Sequence, residues 1–287
     1  MSEKKLVRLA LSGSGFRFPC HVGALAAIEE GGYEVVELSG TSGGSIVGSL
    51  YASGKSVKEL DAITQSIDLK KMLHYCPFAL ADFAYCNGSN LESLLKDLYG
   101  NVNTFDDLKI PLHVVASNLT DSSIHVFNKD NNVGLSTAVR ASTAVPFLYS
   151  PIKIDDKWLV DGGITSNVPV EFLQDDGVLK LGISLQSDVD TTRINSAFDV
   201  LSRSANLLFS ANDNAHIDED CFKGAVFSFI NTGAIGSFDT KLSVGERKVL
   251  YDMGYAKTKE ALSVYESSIR GKRGTIKYRE INKALHA

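Results

Sequence analysis

A serine-centred glycine motif between an apolar run and a helix-like run constrains this chain more than any other feature. The segment at 37–54 reads ELSGTSGGSIVGSLYASG, and Ser42 stands in a G-x-S-x-G pattern with Gly40 and Gly44. A serine on a sharp strand-to-helix turn is strained, and glycines two residues away avoid clashes with the strand and the helix. The amide of Gly43 is a candidate donor to an oxyanion. The pattern predicts a nucleophilic serine, and a Gly/Ser-rich turn without a catalytic role is the alternative.

Strand-like and helix-like runs alternate along the first 185 residues. The main strand-like runs read LVRLAL, YEVVELS, PLHVVASNL and LKLGISL, and helix-like runs such as PCHVGALAAIEEGG lie between them. This alternation predicts an α/β fold with three layers, α/β/α, in which helices cover both faces of a mostly parallel central sheet. The run IKIDDKWLV predicts a hairpin that turns at 155–157.

The pattern changes after Leu185, where a polar link, QSDVDTTR, begins. A helix-like segment at 194–218 and a strand-like run, GAVFSFI, follow. Ser243 and Glu246 then form an S-x-x-E pattern, which is typical of a capping box at the start of a helix. We therefore expect a core at 1–185 and a mainly helical C-terminal extension at 186–287 that packs on the same domain.

The composition excludes several classes of function. The 287 residues carry a net charge of −5, which gives no general attraction to nucleic acid, and 44% of them are apolar. No apolar run approaches the ~18 residues of a membrane span, so we expect a cytoplasmic protein with reduced cysteines. No Cys or His cluster has metal-ligand spacing, and no metal or cofactor is predicted. The end of the chain is either a solvated tail or a contact for anionic lipid headgroups, and its basic residues are Arg270, Lys272, Arg273, Lys277, Arg279 and Lys283.

An acid, rather than a histidine, is the strongest candidate to take the proton from Ser42. None of the six histidines stands in a recognisable catalytic context. Asp161, in KWLVDGGITSNVP, ends an apolar run and so lies at the end of a strand, where open α/β sheets place their sites. Gly162 and Gly163 let the backbone approach closely there. An ordinary Asp-Gly-Gly turn is the alternative.

Taken together, three blocks of the chain resemble the patatin-like family of lipid acyl hydrolases. The first is LSGSGFRFPCHVGAL, which is similar to the family's G-G-G-x-[RK]-G loop, and the second is GTSGGS, which matches its nucleophile motif. The third is RASTAVPFLYSPIKIDDKWLVDGGITSNVPV, which ends in an Asp-Gly-Gly motif. The resemblance covers roughly residues 5–185.

The resemblance implies a Ser–Asp dyad without histidine, in which Ser42 is the nucleophile and Asp161 is the base. Because a carboxylate with a pKa of ~3.9 is a weak base, burial that raises the pKa of Asp161 would help. The family's glycine-rich loop implies an oxyanion hole formed here by Gly13, Ser14 and Gly15, with the amides of Ser14 and Gly15 as the first choice and Gly13 shaping the turn.

The glycine-rich loop departs from the family pattern at two positions. Ser14 replaces the middle glycine, and a left-handed backbone there would cost about 1–2 kcal/mol. Phe18 replaces the last glycine and adds bulk. Arg17 keeps the family's basic residue, and it either anchors the loop or contacts a lipid phosphate.

Membrane glycerophospholipids or related acyl lipids are the substrates that the resemblance implies, with cleavage of the phospholipase A type. Two apolar segments, at 72–85 and 145–151, are predicted to line an acyl groove, and the first is also a candidate lid or membrane-touching segment that includes Phe78 and Phe83. Plain core packing is the alternative for both. We expect peripheral membrane contact.

Three other functions stay open. A transacylase on the same fold would pass the acyl group to an alcohol, whereas an acyltransferase of the malonyl type needs a histidine and leaves Asp161 without a role. A binding or regulatory module would keep the fold without activity. An enzyme that is silent alone would require an activating partner or a homo-oligomer.

Overall fold

The computed structural model of the protein describes residues 5–73, 76, 84–188, 194–195, 200, 203–204, 207–209, 224–270 and 278–286. Within these ranges the fold is α/β, as predicted, with helices that flank one eight-stranded sheet. The strands are β1 (Lys5–Leu11), β2 (Tyr33–Thr41), β3 (Leu112–Asn118), β4 (Ser123–Phe127), β5 (Ile152–Ile154), β6 (Lys157–Asp161), β7 (Leu179–Gln186) and β8 (Ala225–Asn231). The helices are α1 (Pro19–Glu30), α2 (Gly43–Ala52), α3 (Val57–Ser66), α4 (Leu69–Met72), α5 (Ser89–Tyr99), α6 (Leu135–Ser142), α7 (Val244–Arg270) and α8 (Tyr278–His286).

The sheet is mixed and mostly parallel. Its strand order is β5-β6-β3-β2-β1-β7-β8, and β4 pairs with β3 off this path. The strands from β3 to β8 along this order are parallel to one another, whereas β4, β5 and β6 pair in antiparallel fashion. The predicted hairpin is β5–β6, in which Ile154 pairs with Lys157.

Both faces of the central strand β1 are covered by apolar side chains. Val7, Leu9 and Leu11 are fully buried in the larger core cluster, on one face of the pleat. Ala10 points to the opposite face and joins a smaller cluster that includes Phe227. Parallel strands that are buried on both faces read as continuous apolar runs, which is why these strands could be predicted from the sequence.

The C-terminal part of the chain contributes to the same sheet. β8 pairs in parallel with β7, and α7 packs against α1 and β8. The predicted capping box opens α7: the Ser243 amide donates to Glu246 Oε2 at 2.8 Å, and the Glu246 amide donates to Ser243 Oγ at 3.2 Å. Most of the predicted helix at 194–218 lies outside the described residues, and the division at residue 185 stays a prediction. None of the described helices is both long and apolar enough to cross a membrane.

Two strands meet end to end beside β3. β4 occupies one edge of β3, so β2 and β6 must share the other edge, one after the other. Thr41, the last residue of β2, pairs with Val115, and Asp161, the last residue of β6, pairs with the next residue, Ala116. Because β6 is antiparallel to β3, the carboxyl ends of β2 and β6 face each other. Ser42, directly after β2, therefore lies beside Asp161.

Candidate active site

Ser42 adopts a strained backbone at the turn between β2 and α2. Its φ is +50° and its ψ is −124°, a conformation that costs a non-glycine residue on the order of 1–3 kcal/mol. Four backbone hydrogen bonds hold it. The Ser42 amide donates to Ser142 Oγ at 2.8 Å, and the Ser42 carbonyl accepts from Ser45 Oγ at 2.6 Å and from the amides of Ser45 and Ile46 at 2.9 and 3.3 Å. A Cβ on Gly44 would lie 2.3 Å from the carbonyl oxygen of Leu11. A Cβ on Gly40 would lie 2.8 Å from Ser45 Cα, so both glycines of the motif are required by close packing.

Ser42 and Asp161 share a short hydrogen bond in a buried position. Ser42 Oγ donates to Asp161 Oδ2 at 2.6 Å, and the Gly163 amide donates to Asp161 Oδ1 at 2.8 Å. Asp161 has no exposed surface, and Ser42 is 6% exposed. Burial raises the pKa of Asp161 to about 7, and the two hydrogen bonds oppose this rise. A carboxylate of this basicity can accept the serine proton at neutral pH.

The two glycines after Asp161 let the chain turn against its neighbours. A Cβ on Gly162 would lie 2.2 Å from the carbonyl oxygen of Val115. A Cβ on Gly163 would lie 2.9 Å from the ring of Phe209 and 3.1 Å from Asn167 Oδ1. A larger residue at Gly162 would force the backbone apart, whereas one at Gly163 would press on the side chains of Phe209 and Asn167.

Three backbone amides close to Ser42 are candidate oxyanion donors. The amides of Ser14, Gly15 and Gly43 donate to no acceptor in the part of the chain that the structure describes. The Gly43 amide also lies in the first turn of α2, where the helix dipole favours negative charge. The amide of Gly13, the residue expected to shape the turn, donates to the backbone oxygen and to Oδ1 of Asn167, both at 3.1 Å.

Neither departure in the glycine-rich loop strains its backbone. The left-handed residue of the loop is Gly15, with a φ of +56°, whereas Ser14 and Phe18 have no positive φ. The expected cost at Ser14 therefore does not arise. Phe18 is 3% exposed and packs in the main core, where its bulk is accommodated.

Arg17 is buried beneath the loop and fastens it to the C-terminal part of the chain. Its Nε donates to the carbonyl of Ser14 at 3.1 Å, and a terminal nitrogen donates to the carbonyl of Gln186 at 3.2 Å and to Thr232 Oγ1 at 3.0 Å. The Phe16 amide donates to the carbonyl of Ser237 at 2.7 Å. These contacts favour the anchoring interpretation of Arg17 over phosphate contact.

No histidine among the described residues hydrogen-bonds to Ser42. His21 is fully buried, its Nε2–H donates to the Ser12 carbonyl at 2.9 Å, and burial lowers its pKa to about 4. His286, on α8, lines the cavity next to Ser42. The remaining histidines contact other side chains (His113 and His125) or lie outside the described residues (His74 and His216). In the described ranges no three His, Cys, Asp or Glu side chains are grouped to hold a metal ion.

Sequence reasoning missed two polar residues that position the site. Ser142 Oγ accepts a hydrogen bond from the Ser42 amide, and Asn167 Oδ1 accepts one from the Gly13 amide. Asn167 follows Asp161 by six residues, in SNVP, so its place in the same motif was a signal that it could lie near the site. Ser142 lies in the run RASTAVP among several hydroxyl residues, and no signal in the sequence separates it from them.

Two spaces of opposite character meet at Ser42. A polar cavity of about 250 Å³ is bordered by Gly15, Ser42 and Phe238. A narrow apolar groove is bordered by the same three residues and continues between α2, α5 and the segment that follows α6. Its apolar lining includes Ile46, Met72, Leu91, Val145, Leu148 and Tyr149. Residues from both predicted acyl-groove segments thus border it.

Comparisons with known proteins bear on the family and the fold of the chain. The model of the family "Patatin-like phospholipase" matches residues 9–173. An uncharacterised NTE family protein of Mycobacterium bovis is 29% identical over 169 residues, which are 59% of this chain and 46% of that protein, so the chain spans about half the length of this relative. The lysophospholipase NTE1 of Cryptococcus neoformans is 28% identical over 190 residues, which are 65% of this chain and 11% of that protein. The crystal structure of VipD from Legionella pneumophila has a TM-score of 0.63 at 17% identity and covers 92% of this chain and 67% of VipD, a similarity of fold.

Replacing Asp161 by Asn should raise the stability of the protein at alkaline pH. The pKa of this carboxyl is about 7 in the folded chain and 3.8 as its ordinary value, so the folded state keeps a proton that the unfolded state loses between these values. The stability that this proton contributes is complete below pH 4 and is lost as the pH rises through 7. In urea unfolding, the free energy of unfolding of Asp161→Asn should exceed that of the wild type by up to about 4 kcal/mol at pH 8 and by much less at pH 5. Exposed Asp156→Asn is the control, and a pH-independent difference at Asp161 would contradict this account.

Ser14→Gly should leave activity on a short-chain ester within about twofold of the wild type, because Ser14 needs no left-handed backbone. Gly15→Ala should reduce activity about a hundredfold, because its Cβ would lie 2.0 Å from the Ser237 carbonyl oxygen and would displace an oxyanion amide. Initial rates of both variants measure these activities, and thermal unfolding shows whether both variants are folded. A large gain from Ser14→Gly, or tolerance of Gly15→Ala, would contradict the assignment of the loop.

Proposed function

Because the chain belongs to the patatin-like phospholipase family, we propose that it is a lipid acyl hydrolase that uses Ser42 as nucleophile and Asp161 as base. Its substrates are carboxylic esters of membrane glycerophospholipids or related acyl lipids, and the reaction is of the phospholipase A type. The observation that carries this proposal is the 2.6 Å hydrogen bond from Ser42 Oγ to the buried Asp161 carboxylate. A Ser–Asp pair beside unoccupied amides is what acyl transfer through a serine requires.

The first half of the reaction forms an acyl-enzyme. Ser42 Oγ attacks the ester carbonyl carbon while its proton moves to Asp161 Oδ2. The carbonyl electrons move onto the oxygen, which accepts hydrogen bonds from the amides of Ser14, Gly15 and Gly43. When the intermediate collapses, the bond to the leaving oxygen breaks, and Asp161 returns the proton to that oxygen. The products are an alcohol and acylated Ser42.

The second half releases the fatty acid. Water attacks the acyl carbon and gives its proton to Asp161, and the same amides stabilise the second oxyanion. The bond to Ser42 Oγ then breaks and Asp161 returns the proton to it. One positioned carboxylate thus serves as base and acid in each half, a contribution of about 10²–10⁴ in rate.

The comparisons support lipid substrates in general. The family description names a phospholipase, and the Cryptococcus relative is named a lysophospholipase. The apolar groove at Ser42 has a volume of about 30 Å³, which admits the beginning of an acyl chain. Burying a methylene group there removes it from water at about 0.8 kcal/mol.

We propose that the protein contacts the membrane surface through Phe147. This residue is 56% exposed and has a φ of +67°, a strained conformation for a bulky side chain. Its carbonyl accepts the amide of Tyr85, which is 44% exposed, so the two rings project from adjacent backbone. The segment that carries Phe147 also borders the acyl groove. The candidate contacts Phe78 and Phe83 lie outside the described residues, and an activating partner or homo-oligomer stays a prediction.

Ser42→Ala and Asp161→Asn should each abolish acyl release from mixed phospholipid vesicles, with losses of about a hundredfold or more for Asp161→Asn. Mass spectrometry of the released fatty acid and lysolipid is the measurement, and Asp156→Asn is the control. Both variants must first show the cooperative unfolding of the wild type. Equal background in all of the proteins would contradict the proposed activity, and acyl esters of an added alcohol as the main product would indicate a transacylase.

Phe147→Ser should reduce hydrolysis of vesicles about fivefold or more, because a buried Phe contributes about 1.5–3 kcal/mol, and should spare a water-soluble short-chain ester. Serine keeps the Cβ, so the backbone strain is unchanged. Val249→Ser, at a 45% exposed position on α7, is the matched control. Equal losses on both substrates would show that Phe147 acts through structure rather than through membrane contact.

A further inference from the structure

The polar cavity and the apolar groove divide the space around Ser42 between two kinds of chemical group. Besides Ser14 and Ser42, the polar residues that line the cavity are Arg17, Asn167, Gln186, Ser187, Ser237 and His286. The groove is apolar, and a phosphate placed there would lose its hydration without gaining partners. An ester with one apolar end and one charged end can therefore bind productively in one orientation, with the apolar end in the groove and the charged end in the cavity.

Among the described lining residues of the cavity, Arg17 carries a permanent positive charge. None of the described lining residues carries a carboxylate. Acids that lie next to lining residues include Asp161, whose Oδ2 accepts the hydrogen bond from Ser42 Oγ, and Asp188, after Ser187, whose Oδ1 accepts a hydrogen bond from Asn231. Arg17 is buried beneath the loop, where its Nε and one terminal nitrogen donate to backbone carbonyls and to Thr232 Oγ1, so its charge is present although these nitrogens are occupied.

His286 reaches this cavity because α8 is fastened to the edge of the sheet. Asn282 Oδ1 accepts the Phe227 amide at 2.8 Å, and Asn282 Nδ2 donates to the Ala225 carbonyl at 2.9 Å, so the side chain pairs with β8 like a neighbouring strand. Ile281 is buried beside it. The ring of His286 then packs edge-to-face on Phe229, with 4.6 Å between centroids. The ring nitrogens of His286 make no hydrogen bond with any described residue.

We propose that the polar cavity binds the leaving group of the ester and that His286 contacts a phosphate on that leaving group. The inference rests on the ester hydrolysis proposed above, and it makes His286 a specificity-determining residue. Much of this wall, including Gln186, Ser187, Ser237 and His286, lies beyond residue 173, where the family match ends. Leaving-group preference is therefore a property of the C-terminal part of this chain rather than of the matched core.

The test compares two esters that share one acyl chain and differ by a phosphate: a 1-acylglycerol 3-phosphate and the corresponding 1-acylglycerol. Both are kept below the concentration at which they aggregate, so that membrane contact plays no part. His286→Ala should lower kcat/KM for the phosphate ester about tenfold, mainly through KM, because a charge-assisted hydrogen bond is lost. Activity on the neutral ester should stay within about twofold of the wild type. Lys283→Ala, an exposed basic residue of the same helix, should leave the ratio of the two activities unchanged.

A binding measurement separates failure of this inference from failure of the proposed activity. Glycerol 3-phosphate should bind the wild-type chain in calorimetry and should bind His286→Ala about tenfold more weakly. An unchanged ratio of activities in His286→Ala, or equal losses on both esters, overturns the role of His286. If the wild type cleaves neither ester, the proposed activity fails, and equal binding of glycerol 3-phosphate by both proteins then also rejects the phosphate contact.

Discussion

The whole site depends on one buried hydrogen bond, from Ser42 Oγ to Asp161 Oδ2. In water a carboxylate would be too weak a base for a hydroxyl group, and a serine would be too weak a nucleophile. Excluding water raises the pKa of Asp161 to about 7 and leaves Ser42 Oγ and the Gly163 amide as its hydrogen-bond partners. The cost is a carboxyl group in the core, which the surrounding fold must offset. The end-to-end arrangement of β2 and β6 holds this pair in place, because both strands are tied to consecutive residues of β3.

The glycine-rich loop is also held in place by hydrogen bonds, but by a different part of the chain. Arg17 and Phe16 connect the loop to Gln186, Thr232 and Ser237, all after residue 185. The C-terminal part therefore does more than cover the sheet. It fixes the loop that carries the free amides and forms a wall of the polar cavity. A change in this part is expected to alter both catalysis and the choice of leaving group.

Much of the fold and the key residues of the site could be predicted because their signals are local. Runs of buried apolar residues marked β1, β2, β3 and β7, and glycines around Ser42 marked a turn too tight for side chains. The direction of β6 could not be predicted, since strand direction depends on long-range pairing. The same holds for Asn167 and His286, whose roles arise from contacts between distant segments. The expected strain at Ser14 was misplaced by one residue, because sequence alone does not show which residue of a glycine-rich loop turns left-handed.

The rate at which a long-chain alkyl fluorophosphonate labels Ser42, followed by mass spectrometry from pH 5 to pH 9, tests the central claim most directly. The reagent needs a serine, a base and an oxyanion site, but neither a particular headgroup nor a membrane. The account predicts a single adduct on Ser42, with a rate that rises through about pH 7 and then levels off. In Asp161→Asn the rate should fall about a hundredfold and lose this pH dependence. Labelling of another residue, or labelling of Ser42 at the same rate and with the same pH profile in Asp161→Asn, would contradict the claim that buried Asp161 activates Ser42.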